Sequence, residues 1–344
     1  MSLRSSLYAL KESITLSLLM LEDNNVALSL PSERHRLCYY LGPCYDQHRE
    51  YDRPTQFIAD PKYRKNITAD SRIKVVDYIQ LSQLKDDSVK WKIQERMLLK
   101  ALKEEGFCSD LFALVRGDTS PDRPILDFPF FCKVRSQPHQ PAVLLRLLKF
   151  SRHWQHFYRY HSSFSKTFDQ KIDKLFWRGA TTGKPGIPGN RFKLVRDYFD
   201  SDPRLDVGYT VICHGHDDLS VYQKSNVDIP EFADYKYLLS IPGNDKDSGL
   251  AWKLASRSVV LMPRQVISSW LMEKILVPGY HYVELREDFS NLIQVLNWCQ
   301  MNQQSCFQIA ENARCFMSQF LDEVNEVSIE RKVLREYFSA FELA

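Results

Sequence analysis

Two glycine-containing segments of the chain combine residue types that can bind phosphate oxygens. The first segment, from Lys174 to Arg191, reads KLFWRGATTGKPGIPGNR. Glycine allows a ligand to approach the backbone closely, while threonine hydroxyls and an arginine fork suit phosphate oxygens. A helix that begins near Asn190 would add free N–H groups to such a site. The segment has neither a Gly-Lys-Ser/Thr nor a G-x-G-x-x-G motif, so the local pattern also fits a flexible surface loop.

The second segment extends from Lys236 to Pro263 and reads KYLLSIPGNDKDSGLAWKLASRSVVLMP. Its pattern predicts a strand, a polar loop, a helix and another strand. Asp247 and Ser248 stand where the N-cap of the helix belongs, and Gly249 follows them. Free N–H groups at a helix N-terminus, next to the carboxyl end of a strand, form a natural diphosphate site. In the alternative interpretation, Asp247 or Ser248 only caps a structural helix.

Asp118 is the carboxylate best placed for general-base chemistry. It follows the apolar run Leu111–Val115, which predicts a buried strand, and Gly117 would let a substrate approach closely. A carboxylate at a strand end is held firmly and can accept the proton of an attacking hydroxyl. Asp122 lies in the next, proline-bracketed turn and is the reserve. The alternative is that Asp118 only shapes its loop, because aspartate is common in turns.

Residues 133–168 contain seven Lys or Arg, no Asp or Glu, and several interleaved aromatic residues. Such a segment favours a basic surface for an anionic acceptor or for a membrane face. Arg152 and Arg159 lie in it and Arg116 precedes it, and we expect all three on the acceptor side. The aromatic rings could also stack on nucleic-acid bases, while the simplest alternative is a solvated helix face. The histidines of the segment lack metal-ligand spacing.

The elements that must position these residues follow from the pattern of the whole chain. Its 344 residues exceed one typical core and suggest two domains. In the second half, short apolar strands alternate with helices, which is typical of a doubly wound parallel sheet. The predicted strands cover residues 174–177, 207–213, 235–241, 258–262 and 281–285, and the predicted helices cover residues 89–105, 190–199, 248–255, 267–276, 290–300, 306–323 and 328–341.

Composition and charge limit the classes of protein to which the chain can belong. A net charge of +3 argues against strong polyanion binding by bulk charge. The eight cysteines show no C-x-x-C spacing, so they predict reduced thiols in a cytosolic protein. The chain has no apolar run long enough for a transmembrane helix, and we interpret residues 1–21 as an amphipathic helix rather than a signal peptide.

Three strings of the sequence, in this order, resemble glycosyltransferase family 90. They are W-R-G-x-T-T-G with a later Arg, then K-Y-L-x-x-x-x-G-N-D-x-x-S-G-L-x-W-K-L-x-S-x-S-V-V-L-M-P, then L-x-P-x-x-H-Y-V-x-L-x-x-D-x-S-N-L. Together they span Lys174 to about Leu292, about a third of the chain. The family includes protein O-glucosyltransferases, fungal capsule xylosyltransferases and bacterial lipopolysaccharide-core glycosyltransferases.

The resemblance implies an α/β fold of the GT-B type, in which two Rossmann-like domains face a central cleft. The implied parts are an acceptor-side domain at residues 1–165, a nucleotide-sugar-binding domain at residues 166–325, and a C-terminal helix at residues 326–344 that packs back on the first domain. Leu114–Asp118 is similar to the family's N-V-R-D string, which supplies the catalytic acid residue, although Gly117 here separates Arg116 from Asp118.

The resemblance also assigns a donor-binding set. Animal members carry an arginine within an S-F-R-F-K string, whereas this chain reads Ser248 to Lys253 without one. We expect Arg178, Arg191 or Lys253 to replace it. The implied donor-binding residues are Arg178, Gly179, Thr181, Thr182, Gly183, Arg191, Asn244, Asp247, Ser248, Gly249 and Lys253.

The implied activity is inverting, metal-independent transfer of a hexose or pentose from a UDP-sugar to a glycan or glycolipid acceptor. Lipopolysaccharide core is the acceptor we expect, with no cofactor apart from the donor substrate and no nucleic-acid partner. We expect a cytoplasmic protein, with a peripheral contact to the inner membrane as an option. The alternative is a non-catalytic relative that binds carbohydrate or nucleotide sugar.

Overall fold

The structure of the chain is a computed structural model. It describes residues 31–42, 72–74, 97–98, 100–107, 111–113, 130–135, 142–146, 154–183, 186, 188–244 and 246–340. Four residues expected on the acceptor side lie outside these ranges, and their roles stay predictions: Arg116, Asp118, Asp122 and Arg152. Within the described ranges, no helix is long and apolar enough to cross a membrane.

Five parallel strands form the largest sheet of the described structure. In chain order, the described strands are β1 (Arg72–Lys74), β2 (Leu111–Ala113), β3 (Phe130–Cys132), β4 (Val134–Arg135), β5 (Ala142–Leu144), β6 (Ile172–Ala180), β7 (Leu205–Val211), β8 (Tyr235–Leu239), β9 (Val259–Pro263), β10 (Ser268–Ser269) and β11 (Val283–Leu285). The large sheet has the order β11-β9-β8-β6-β7, while β1 pairs with β2, β3 with β5, and β4 with β10.

The order of the strands creates a switch point between β6 and β8. β7 pairs with one edge of β6, and the next strand along the chain, β8, pairs with the other edge. β9 and β11 then extend the sheet on the β8 side. The connections from β6 and β8 therefore diverge and leave a crevice at the carboxyl ends of these two strands, where open α/β sheets bind ligands. The predicted parallel α/β sheet of the second half is confirmed.

Helices cover both faces of this sheet. They are α1 (Glu33–Leu41), α2 (Gln155–Tyr160), α3 (Arg191–Tyr198), α4 (Ile229–Phe232), α5 (Leu250–Ala255), α6 (Leu292–Met301), α7 (Gln303–Ser318) and α8 (Glu323–Ala340), with short 3₁₀ helices at His161–Ser163, Phe168–Gln170, Asp217–Tyr222, Glu273–Ile275 and Gln319–Leu321. The start predicted for α3 is confirmed, because the side chain of Asn190 accepts a hydrogen bond from the Lys193 N–H at 2.8 Å.

Two local predictions are wrong. The predicted helix at residues 267–276 is instead the short strand β10 followed by the 3₁₀ helix Glu273–Ile275, because β10 pairs with β4 of the N-terminal half and tertiary pairing overrides local propensity. The strand predicted at residues 174–177 is also too short. Arg178 and Gly179 continue β6 and pair with Gly208 and Tyr209 of β7.

The two faces of the sheet contribute to different hydrophobic cores. Leu175 and Trp177 of β6 point to one core, which contains side chains of α3 and α6. Phe176, between them, points to the other core, which includes the N-terminal residues Tyr40 and Phe131 together with α5, α7 and α8. The N-terminal half thus packs against one face of the large sheet.

The C-terminal helix α8 is joined to the N-terminal half by buried ion pairs. Arg36 of α1 donates two hydrogen bonds to the Glu326 carboxylate, at 2.6 and 2.8 Å. One turn further along α8, Glu330 accepts from Arg146 Nε at 3.3 Å. All four side chains are almost fully buried, and removing one partner of such a pair would leave an uncompensated buried charge. These contacts place α8 against the N-terminal half, while the predicted domain boundaries stay a prediction.

Candidate functional site

Two loops meet at the switch point of the large sheet. We call them the β6 loop (residues 181–190) and the β8 loop (residues 240–249). The Gly183 N–H donates a hydrogen bond to Asn244 Oδ1 at 3.0 Å, which joins the two loops. Gly183 has φ of +101°, in the region that favours glycine, and a Cβ there would lie 3.1 Å from the Gly243 carbonyl oxygen. The two backbones approach each other so closely that side chains at these glycines would separate them.

Arg191, the first residue of α3, spans the crevice between the loops. Its Nη1 donates to Thr182 Oγ1 at 2.6 Å and to the Ala180 carbonyl at 3.2 Å. Its Nη2 reaches the Ile241 carbonyl on the other side at 3.4 Å. A Cβ on Gly243 would lie only 2.9 Å from the same Nη2. A half-buried guanidinium is therefore fixed between the carboxyl ends of β6 and β8.

A buried ion pair lies below the β8 loop. Lys253 Nζ donates to Asp247 Oδ2 at 2.6 Å and to the Leu239 carbonyl at 2.8 Å. Burial opposes ionisation of Asp247, but the Lys253 ammonium and its hydrogen bond outweigh it and hold the pKa of Asp247 below its ordinary value. Burial lowers the pKa of Lys253 in spite of the attraction of Asp247. Arg191 acts on both groups through its charge, so two cations face one carboxylate here.

Asp247 also positions the start of α5. Its Oδ1 accepts a hydrogen bond from the Gly249 N–H at 2.8 Å, while Ser248 is exposed. Gly249 is the N-cap residue, and a Cβ there would lie 3.0 Å from the Trp252 ring. Neither Asp247 nor Ser248 is therefore the N-cap that the sequence pattern predicted, and the described helix α5 has no side-chain capping hydrogen bond. Lys253 holds Asp247 in place, and its contact with a donor phosphate stays a prediction.

Three other predicted donor residues are engaged within the protein. Arg178 Nη2 lies 2.8 Å from Asp206 Oδ1, and its guanidinium lies over the Phe176 ring. Thr181 is buried, and its Oγ1 donates to the Cys213 carbonyl at 3.0 Å and accepts from the Cys213 N–H at 2.8 Å. Gly179 is required for packing, because a Cβ there would lie 2.6 Å from the Trp177 ring. The structure thus brings Thr182, Gly183, Arg191 and Asn244 to the crevice. Arg178 instead contacts Asp206 of β7, and Thr181 contacts Cys213, which follows β7.

Sequence reasoning missed Gly243 in the crevice and the buried Ser240 directly after β8. Gly243 is the point where Gly183, Arg191 and Thr182 all approach the backbone. Ser240, directly after β8, is buried, and its Oγ has no hydrogen-bond partner among the described residues. A buried polar atom without a partner is costly, and it indicates a place where a ligand or water would bond. The signal in the sequence was weak: one small polar residue between an apolar strand and Ile241.

A second buried ion pair fixes the β8 loop from the other end. Lys246 Nζ contacts the Glu273 carboxylate and donates to Ser269 Oγ at 3.0 Å. Glu273 Oε2 accepts from the Ser269 N–H at 2.7 Å. Ser269 belongs to β10, which pairs with β4 of the N-terminal half. The position of the β8 loop is therefore tied to a segment that contacts the N-terminal half.

The basic aromatic segment is only partly on the surface. Trp154 and Phe157 are buried in the core, and Arg146 is in its ion pair with Glu330. Arg159, the described residue of the predicted acceptor-side set, is exposed on α2 and lies over the Tyr160 ring at 6.0 Å. The buried rings cannot stack on nucleic-acid bases, while the Arg159 side chain is exposed to solvent. Among the described residues, no group of three or more His, Cys, Asp or Glu side chains is arranged for a metal ion.

Comparisons with known proteins agree on one family. The model of "Glycosyl transferase family 90" matches residues 152–342. O-glucosyltransferase LpsA of Dichelobacter nodosus is 31% identical over 246 residues, which cover 71% of this chain and 72% of that protein. Protein O-glucosyltransferase 2 of Danio rerio is 28% identical over 145 residues, which cover 42% of this chain and 28% of that protein.

Among solved structures, a chain of Anabaena Alr3699/HepE in complex with UDP and glucose is similar over 72% of this chain and 76% of its own length, at 12% identity and a TM-score of 0.42. A second structure of that protein, in complex with UDP-glucose, covers 54% of this chain and 52% of its own length, at 16% identity and a TM-score of 0.33.

Proposed function

Because this chain belongs to glycosyltransferase family 90, we propose that it transfers a hexose or pentose from a UDP-sugar to a glycan acceptor. The transfer inverts the anomeric carbon and needs no metal or other cofactor. The proposed fold is GT-B-like, with the donor in the second half of the chain and the acceptor on the side of the first half.

One observation carries the proposal: the crevice at the switch point between β6 and β8. Its walls are the closely packed backbones at Gly183 and Gly243, and Arg191 is fixed between them. Directly after β8, Ser240 has a buried Oγ without a hydrogen-bond partner among the described residues. Close backbone approach, a fixed guanidinium and a strand's carboxyl end are the features that suit a diphosphate.

Charge at the crevice supports a metal-independent departure of UDP. As the bond from the anomeric carbon to the diphosphate breaks, negative charge grows on the leaving oxygen. Fixed cations that face this charge stabilise the transition state without reorganising. Arg191 and Lys253 supply two positive charges against the single carboxylate of Asp247. In this proposal Arg191 contacts the diphosphate, and Lys253 acts through the field and through the geometry of the β8 loop.

The base of the proposed reaction comes from the first half of the chain. Asp118 removes the proton of the acceptor hydroxyl while its oxygen attacks the anomeric carbon from the face opposite to the diphosphate, and Asp122 is the reserve. This in-line attack is what inverts the configuration. Arg116, Arg152 and Arg159 are proposed to orient an anionic acceptor, and lipopolysaccharide core is the acceptor class we favour. The name of the LpsA relative, O-glucosyltransferase, supports the transfer of a glucosyl group.

The proposed location is the cytoplasm, with a peripheral contact to the inner membrane where a glycolipid acceptor would be presented. The exposed cation Arg159 supports such a contact, because basic surfaces are attracted to anionic lipid headgroups.

A donor screen tests the proposed function. UDP-glucose, UDP-galactose, UDP-xylose and the UDP-N-acetylhexosamines are each incubated with the protein, with and without truncated core oligosaccharide, and UDP release is measured. We expect acceptor-dependent release from one of these donors, unchanged by EDTA, with the product anomer opposite to that of the donor by NMR. UDP binding without release from any donor would instead support the non-catalytic relative, and a product with retained configuration would contradict the proposed mechanism.

A pair of arginines on the same helix tests the donor crevice. Arg191→Ala is expected to weaken UDP binding by roughly 10- to 150-fold, the equivalent of about 1.5–3 kcal/mol for a charge-assisted contact. Arg196→Ala removes an exposed arginine of α3 and is the matched control, with UDP affinity expected to equal that of wild type. Equal UDP affinity in both variants, measured by calorimetry, would remove Arg191 from the donor site.

A further inference from the structure

A separate pocket of about 330 Å³ lies where α2, the turn after α5 and the end of α7 come together. It is next to Ala255, at the C-terminal end of α5, whereas the β8 loop of the donor crevice leads into the N-terminal end of the same helix. Its volume is at the lower end of those of small-molecule sites. The polar part of its lining is formed by His161, Ser162, Ser165, Arg257, Arg314 and Ser318.

The pocket has an apolar side and a polar side. Phe157 and Phe164, which line it, are buried in the main core, so this wall is held by packing. On the other side, Ser318 donates its hydroxyl proton to the Cys315 carbonyl at 2.8 Å and can only accept from a ligand. His161 uses Nδ1 to bond the Tyr158 carbonyl at 2.9 Å, which leaves Nε2 as its other hydrogen-bonding atom.

The charge of the pocket is positive. Arg257 and Arg314 both line it, and they share one carboxylate, Glu311, at 3.8 Å from Arg257 Nε and 2.8 Å from Arg314 Nε. Two guanidinium groups against one carboxylate leave an excess of one positive charge and several N–H donors. Both arginine side chains are about one-third exposed, so their N–H groups can reach a ligand that enters from solvent.

The backbone at Arg257 gives an independent reason to assign a role to its side chain. Arg257 directly follows Ser256, the C-cap of α5, and has φ of +63°. Helices commonly end with a residue in this left-handed conformation, and glycine is the usual choice because it has no Cβ. An arginine at this position is strained, and its ion pair with Glu311 in the described structure is long, at 3.8 Å. The backbone therefore does not explain why the position carries a long cationic side chain, whereas a ligand in the pocket would.

We propose that this pocket binds the phosphate group of a small organic phosphate, with the C–H groups of the molecule packed against the aromatic wall. Arg257 and Arg314 donate charged hydrogen bonds to the phosphate oxygens, as paired guanidinium groups do elsewhere. Ser162 and Ser165 supply neutral donors. Glu311 competes with the phosphate for both arginines, so binding shifts the guanidinium groups from the carboxylate to the ligand. The proposal is independent of the donor crevice, because none of its residues lines that site.

Calorimetric titrations with glucose 6-phosphate, inorganic phosphate and glucose test this pocket, in the absence of UDP. Wild type is expected to bind glucose 6-phosphate most tightly, inorganic phosphate more weakly and glucose not detectably. Arg257→Gly removes the cation and places the preferred residue in the left-handed conformation. It should therefore weaken glucose 6-phosphate binding by roughly tenfold or more while the melting temperature stays equal or rises.

Glu311→Gln gives a prediction of the opposite sign. The glutamine keeps the size of the side chain but removes the competing charge, so glucose 6-phosphate should bind several-fold more tightly than to wild type. Arg196→Ala, which removes an exposed arginine elsewhere, is the control and should leave the affinity unchanged. The proposal is overturned if wild type binds neither phosphate compound, if glucose binds as well as glucose 6-phosphate, or if Arg257→Gly and Glu311→Gln both leave the affinity at the wild-type value.

Discussion

Replacing Arg178 with alanine is expected to lower the stability of the protein and to leave its UDP affinity near that of wild type. Arg178 stands in the glycine-rich segment that suggested phosphate binding, but the structure turns its guanidinium toward β7. Nη2 lies 2.8 Å from Asp206 Oδ1, and Nη1 donates to the Asp206 and Trp177 carbonyls, each at 3.0 Å. The side chain is only 5% exposed, so alanine would leave these acceptors in a nearly closed space.

The expected loss of stability depends on the ion-pair partner that Asp206 retains after the substitution. A hydrogen bond to a charged group contributes about 1.5–3 kcal/mol, whereas breaking a buried ion pair costs about 3–5 kcal/mol because the remaining charge is unpaired. Asp206 is 26% exposed and retains Lys224 Nζ at 3.1 Å, so the lower range applies. We therefore expect the free energy of unfolding to fall by about 2–3 kcal/mol in Arg178→Ala.

Urea unfolding and calorimetric titration of UDP measure the two quantities separately. Asp206→Asn is the matched variant: it weakens the same ion pair from the other side, so the double variant should lose less stability than the sum of the two single variants. A tenfold or greater loss of UDP affinity in Arg178→Ala, at unchanged stability, would refute this reasoning and return Arg178 to the donor site.

Three further predictions concern the base, the crevice and acid stability. Asp118→Asn should reduce turnover by roughly 10²–10⁴ without changing UDP affinity; full activity would exclude it as the base. Gly243→Ala should weaken UDP binding, because its Cβ would lie 2.9 Å from Arg191 Nη2, whereas Gly186→Ala, with no atom within 4 Å of the new Cβ, is the calorimetric control. Burial lowers the pKa of His281 from 6.5 to about 4, so the unfolded state binds more protons between these values. Stability should fall with decreasing pH by up to about 1.4 kcal/mol per unit there, and urea unfolding of His281→Gln should show a smaller fall.

Much of the fold of the second half could be predicted because its signals are local. Alternating apolar runs and turn residues placed β6, β7, β8, β9 and β11 near their observed positions. Asn190 marked the start of α3, since an N-cap acts within one turn of its own helix. The helix predicted at residues 89–105 ends close to its predicted end, because the helical residues 100–104 are followed by Gly106, with φ of +87°. The family strings identified the two loops of the crevice for the same reason: each string is contiguous in the chain.

The sequence by itself therefore determined the family, the parallel sheet and the two segments that form the crevice. Only the tertiary structure decided which side chains of those segments face it. Arg178 and Arg191 are both arginines beside glycine-rich turns, yet Asp206 of β7 engages one and the β8 loop engages the other. Residues 267–276 have a helical pattern, yet pairing with β4 makes part of them a strand. In each case the residue that determines the local structure is distant in sequence. A local sequence pattern cannot predict such a contact, because the contact forms only when the chain folds.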